Sequence, residues 1–225
     1  MRSHTVRGAN IAVAGLLLVL GVESGHAGEL QGRVVGATVD HPAVVWIEGV
    51  PGEAPAGDTT INHVAGRFEP HVSIGFVGNS YVFRNDDKTL HNTHLYLGLA
   101  HQKTVSQRPL HYGATLYNVA LPKAGMEVKK PITAYHRYRD DTGFIQVVCN
   151  PHPEERAYVL VFDHPYATVT GKGGRFSIPK VPAGTHDVRI WHEGVISKRS
   201  GIAVGESGAA EVVLTLEPAA AEPEP

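Results

Sequence analysis

Cys149-Asn150-Pro151-His152-Pro153-Glu154-Glu155 is the stretch that decides how the chain is read. It sits between two alternating apolar segments, Phe144–Val148 and Tyr158–Phe162, so it is a loop joining two strands. A thiol and an imidazole three residues apart on a tight loop can reach one metal. Pro151 and Pro153, with their fixed φ angles, stiffen that loop. Cys149 is the only cysteine of the chain and has no intramolecular disulfide partner. A lone thiol of this kind is a buried small hydrophobe, a pairing site for another molecule, or a metal ligand. Its neighbours favour the metal.

Along the rest of the chain period-two alternation recurs and no segment keeps a 3.6-residue apolar period. Candidate strands are Glu29–Val35, Val44–Glu48, Val72–Phe76, Tyr81–Asn85, Thr93–Leu97, Thr115–Leu121, Gly143–Cys149, Ala157–Asp163, Tyr166–Thr170, Arg175–Ile178, Asp187–Trp191 and Glu211–Leu216. Turn signals separate them at Gly78-Asn79, Asp140–Gly143, Gly171–Gly174 and Pro182–Gly184. Short strands at this spacing make an all-β chain of antiparallel sandwiches. Ala100–Tyr112 has no pattern and is expected to be a loop; Pro218–Pro225 is Ala, Pro and Glu only and is expected to be a disordered tail.

At the N-terminus, Arg2 and Arg7 precede a short apolar run, Ile11–Val22, followed by Gly25-His26-Ala27. That is the layout of a secretory signal peptide over residues 1–27, with a core too short for the roughly 20 residues that cross a bilayer. The chain is therefore expected in the periplasm, with no membrane span after cleavage. A formal charge of −2 without a basic block argues against nucleic acid as a partner.

His91 is the best third ligand, in Phe83-Arg84-Asn85-Asp86-Asp87-Lys88-Thr89-Leu90-His91-Asn92-Thr93-His94. Two histidines and one cysteine with a weak axial group make a trigonal copper site, whereas zinc asks for more sulfur or a fourth strong ligand. His94 is three residues on and would point to the opposite strand face, a packed or surface residue. Asp86 and Asp87 read as turn formers, and Trp46 and Trp191 as core. His101, His111, His136, His164 and His192 have no ligand spacing and read as surface or structural.

The loop resembles that of amicyanin-type cupredoxins, Cys-x-Pro-His-Pro-x-Met, and His91-Asn92-x-His94 is similar to their His-Asn-x-His. Phe68-x-Pro70, Gly78 and Val82-Phe83-x-Asn85-x-Asp87 resemble the first half of cupredoxins generally. The resemblance implies a Greek-key sandwich over residues 28–164, copper held by His91, Cys149 and His152, and Asn92 tying the His91 strand to the segment beside Cys149. The family's axial methionine falls on Glu155, which is either an oxygen ligand or a solvated group paired with Arg156; Met126 is a remote alternative donor. Residues 165–217, with Thr170, Gly174-Arg175-Phe176 and Pro182-Ala183-Gly184, resemble a carboxypeptidase-regulatory or transthyretin-like β-module. That segment is expected to be separate and dispensable for copper binding; residues 28–55 pair either with it or with the copper domain. The whole frame resembles cupredoxins labelled methylamine-utilisation-like. It implies a one-electron carrier between periplasmic redox proteins, not an enzyme. Two other functions stay open: a copper-handling or red-type site binding a small ligand, and a metal-free interaction module.

Overall fold

The computed structural model describes residues 27–97, 114–138 and 144–216. The expected signal peptide up to residue 26, the Ala100–Tyr112 loop, the Asp140–Gly143 turn and the Pro218–Pro225 tail lie outside the described residues. The strands in chain order are β1 (Ala27–Val35), β2 (Val44–Ile47), β3 (Thr59–Val64), β4 (Arg67–Glu69), β5 (Val72–Phe76), β6 (Ser80–Asn85), β7 (His91–Leu97), β8 (Thr115–Leu121), β9 (Met126–Pro131), β10 (Ile145–Val148), β11 (Arg156–Phe162), β12 (Ala167–Val169), β13 (Arg175–Pro182), β14 (Gly184–His192), β15 (Val195–Val204) and β16 (Ala209–Thr215). Among the described residues the helical elements are two short 3₁₀ turns, Ala134–His136 and Lys172–Gly174. The chain is all-β.

Four sheets stack in layers. Sheet I has the order β13-β1-β16, sheet II β12-β2-β14-β15, sheet III β5-β11-β10-β7-β8 and sheet IV β4-β3-β6-β9. Leu30, Val34, Ile178 and Leu214 from sheet I meet Val45, Ile47, Val188 and Ile190 from sheet II in one core. Ile61, Tyr81 and Phe83 from sheet IV meet Leu95, Val147, Val159 and Val161 from sheet III in a second core, which also contains Cys149. A third core joins the two sandwiches: Val44, Trp46 and Trp191 of sheet II pack on Val72, Leu160 and Phe162 of sheet III.

Alternation along β2 and β11 produces this stack. Val45 and Ile47 face sheet I while Val44 and Trp46 face sheet III. Val159 and Val161 face sheet IV while Leu160 and Phe162 face sheet II. A strand covered on both faces is apolar at every position, as Val44–Ile47 and Val159–Phe162 are. The N-terminal strands sit with the C-terminal ones. β1 pairs antiparallel with β13 and parallel with β16, and β2 lies between β12 and β14. The segment after His164 thus builds its sheets on residues from both ends of the chain and shares an apolar layer with the sandwich before it.

Candidate metal centre

The centre lies where sheets III and IV meet at one end. His91 opens β7, Cys149 follows directly on β10, and His152 and Glu155 lie on the loop into β11. The loop is closed on itself: His152 N–H donates to Cys149 O (3.1 Å), Glu155 N–H to His152 O (2.9 Å) and Cys149 N–H to Glu155 O (3.4 Å). Neighbouring strands continue that ladder, with Val148 opposite Arg156 on one side and His94 on the other.

The structure brings the four predicted metal ligands together. Cys149 Sγ lies 3.6 Å from His91 Nδ1 and 3.5 Å from His152 Nδ1, and the two Nδ1 atoms are 3.2 Å apart. A Glu155 oxygen is 3.3 Å from His91 Nδ1 and the other is 3.5 Å from His152 Nδ1. Separations of this size are spanned by one first-row metal with bonds of about 2.0–2.3 Å. Cys149, His91 and Glu155 are buried, and the His152 side chain keeps 32% of its surface open. His152 is therefore the exposed edge.

Hydrogen bonds fix which nitrogen of His91 faces inward. Its Nε2 contacts Thr89 Oγ1 at 3.0 Å and Asp87 Oδ2 at 3.3 Å. Asp87 also accepts the backbone N–H groups of Ala65 (2.8 Å) and Gly66 (3.0 Å), which hold its carboxyl below the usual range. An ionised carboxylate draws the imidazole proton to Nε2 and leaves the Nδ1 lone pair for the metal. Asp87, expected only as a turn former, thus also orients the His91 ring. Burial pushes the Cys149 thiol up, while the backbone N–H groups of Asn92 and His152 favour its thiolate. Burial likewise raises the Glu155 carboxyl, against the pull of His91 and His152.

Asn92 Oδ1 accepts Asn150 N–H at 2.7 Å, and its amide donates to Asn118 Oδ1 (2.7 Å) and Asn150 Oδ1 (3.1 Å). One side chain thereby bridges the His91 strand and the residue after Cys149. His94 points away from the centre: its Nδ1 donates to Asn150 Oδ1 (3.0 Å), its Nε2 meets Thr115 Oγ1 (3.1 Å), and its ring lies on Tyr96. Met126 opens β9 opposite Asn85 and packs on the core between sheets III and IV.

His63 is the residue that sequence reasoning missed. It is fully buried on β3, its Nδ1 is 3.0 Å from Glu155 Oε2, and its ring stacks on His91 with centroids 4.4 Å apart. Its Nε2 meets Thr93 Oγ1 at 3.1 Å. Burial pulls its pKa down to about 3, so the ring is neutral with one N–H. That N–H on Nδ1 donates to the carboxylate, and Nε2 accepts the threonine hydroxyl. With both nitrogens engaged, His63 supports Glu155, and it also offers a ligand atom beside those of His91, Cys149 and Glu155. Its sequence signal is the period of two that places Thr59, Ile61 and His63 on one buried face.

A polar cavity of about 530 Å³ opens over the centre, lined by Gly66, Asp87, Thr89, His91, His152 and Glu155 among others. No helix among the described residues is long and apolar enough to cross a membrane. No family model matches the chain, and no curated protein does. Similar solved structures include an oxidised mutant of amicyanin, 20% identical with a TM-score of 0.34 over 52% of this chain and 98% of that one. Another is a purple cupredoxin from Nitrosopumilus maritimus, 19% identical with a TM-score of 0.33 over 47% of this chain and 100% of that one. Likeness at this level leaves the functional reading to the convergence of Cys149, His91, His152 and Glu155.

Proposed function

We propose that the chain is an exported copper protein of the cupredoxin kind that carries single electrons between periplasmic redox proteins. The observation that carries this reading is the convergence of Cys149 Sγ and the Nδ1 atoms of His91 and His152 within 3.2–3.6 Å of one another. Two imidazoles and one thiolate are the donor set of an electron-transfer copper site. Copper bound there supplies one-electron cycling between Cu(I) and Cu(II). The protein holds the donors still: the loop is hydrogen-bonded to itself, Asn92 ties it to β7, and Asp87 fixes the His91 tautomer. His152 gives electrons a short route to the surface beside exposed Pro151 and Pro153, with exposed Leu90 next to the other imidazole ligand. A small docking patch of that kind suits brief encounters. Arg2, Arg7, Ile11–Val22 and Gly25–Ala27 support export, and the turn pattern between Thr170 and Gly184 supports a carboxypeptidase-regulatory-like module.

Glu155 would be an oxygen donor to the ion, beside the thiolate and the two imidazoles. A carboxylate is harder than a thioether and favours Cu(II), which lowers the potential and weakens the thiolate bond. Copper-loaded Glu155→Met protein is expected to be bluer than the parent, with a higher potential and a smaller copper hyperfine splitting. Identical spectra and potentials for the two proteins would remove Glu155 from the ligand set. The polar cavity over His91, His152 and Glu155 favours a second reading, a site that admits a small ligand. Azide or nitric oxide would then alter the spectrum of the copper protein, and a spectrum indifferent to both would dismiss that reading.

A further inference from the structure

A second histidine–carboxylate cluster lies away from the copper centre, at the seam between the two sandwiches. His41 lies between β1 and β2, and Glu193 lies in the tight turn between β14 and β15. His71 comes from the other sandwich, just before β5. His41 Nδ1 is 3.2 Å and His71 Nε2 is 3.1 Å from the same oxygen, Glu193 Oε1. The His71 ring meets His41 edge-on with centroids 5.6 Å apart.

The protonation of His71 is constrained by its other nitrogen. Its Nδ1 lies 3.2 Å from the backbone carbonyl of Arg156, which can only accept a hydrogen bond. Nδ1 therefore carries the proton, and a neutral His71 aims the lone pair of Nε2 at a carboxylate oxygen. Two acceptors facing each other at 3.1 Å need a cation between them, either a second proton on the ring or a metal. A carbonyl that fixes the far nitrogen is also how proteins prepare an imidazole for a metal. Glu193 has φ +47° and Gly194 φ +85°, the two left-handed residues of a two-residue hairpin turn closed by His192 opposite Val195. Asn, Asp or Gly meets that conformation at lower cost. What glutamate adds there is reach to His41 and His71.

We propose that His41, His71 and Glu193 form a second metal site that takes a divalent transition ion such as Zn²⁺. Two imidazoles and a carboxylate are a recurrent zinc donor set, with water free to take the fourth place. The N···O separations of 3.1 and 3.2 Å are near the edge of about 3.3 Å expected for a tetrahedron with bonds of about 2.0–2.1 Å. The ion would clip the β1–β2 loop and the β14–β15 turn of one sandwich to the start of β5 in the other. It would also brace the Arg156 carbonyl, which follows Glu155 in the chain.

The test uses full-length protein stripped of metal, then dialysed against Zn²⁺ alone and assayed for bound zinc and melting temperature. Cys149→Ser protein, whose copper centre lacks its thiolate, is compared with the double variants Cys149→Ser/Glu193→Gln and Cys149→Ser/His41→Ala. Each double variant is expected to bind one equivalent of zinc fewer and to lose the rise in melting temperature that zinc gives the single variant. Equal zinc content and equal melting response in all three would overturn the proposal and leave a proton holding the cluster.

Discussion

Two clusters among the described residues combine histidines with a glutamate, and they differ in ways that divide their work. Around Cys149 the groups other than His152 are buried, one donor is sulfur, and His63, Asp87, Thr93 and Asn92 hold the donor side chains in place. Around Glu193 the donors are nitrogen and oxygen only. The His41 side chain is 62% exposed, and the support is a single carbonyl on His71. Burial with orienting partners makes a rigid site whose geometry survives a change of charge. Exposure would let a clip there exchange its ion with solvent. The first suits electron transfer and the second suits joining parts of a fold.

The seam between the clusters gives the largest expected effect. Trp191 is fully buried in the core shared by sheets II and III. Trp191→Ala should destabilise the protein by about 3–5 kcal/mol. It should do so in one calorimetric transition that takes the copper centre with it. Two separate transitions, with the copper-bearing one unmoved, would show that the sandwiches are energetically independent. Next is the support behind Glu155. His63→Gln should lower copper affinity by about 10–100-fold while the sulfur-to-copper band persists. Unchanged affinity would mean that the Glu155 carboxylate needs no partner.

The smallest effect concerns a histidine in neither cluster. His136 is buried without a carboxylate, and burial holds its pKa below the usual histidine value of about 6.5. A depressed folded pKa contributes stability that is present above about pH 6.5 and lost as pH falls toward the folded value. In metal-free protein each pH unit over that window should cost up to about 1.4 kcal/mol. Melting curves between pH 7 and pH 5 should show His136→Gln losing less stability than the parent. Parallel curves would mean that His136 titrates alike in both states.

The loop that carries Cys149, His152 and Glu155 and the His91-Asn92 pair were legible as neighbours in the chain because short-range spacing carries them. Turn chemistry and strand alternation place Cys149, His152 and Glu155 on one loop whatever lies around it. His63 was legible only as one of an alternating set with Thr59 and Ile61, not as a neighbour of Glu155 and His91. Its place depends on β3 lying parallel to β6, with His63 opposite Asn85, and that pairing leaves no local mark. Four strands escaped the pattern: β3, β4, β9 and β15. β9 buries little, alternating half-buried with exposed Glu127, Lys129 and Pro131, and β15 runs through exposed Lys198–Gly201. Hydrogen bonding to neighbours holds such strands, more than apolar alternation does. The apolar runs Val44–Ile47 and Val159–Phe162 read clearly as strands, but a run alone does not say which layer covers each face. For the same reason the pairing of β1 and β2 with the C-terminal strands was one of two arrangements that the residues allow.

We propose that one copper ion is held by the Cys149 thiolate together with His91 and His152. This is tested most directly by visible absorption and EPR spectra of copper-loaded parent protein beside Cys149→Ser. The parent is expected to bind one Cu(II) at this centre and show an intense sulfur-to-copper charge-transfer band, which the serine variant lacks entirely. A colourless parent, or a serine variant that keeps the band, would contradict it.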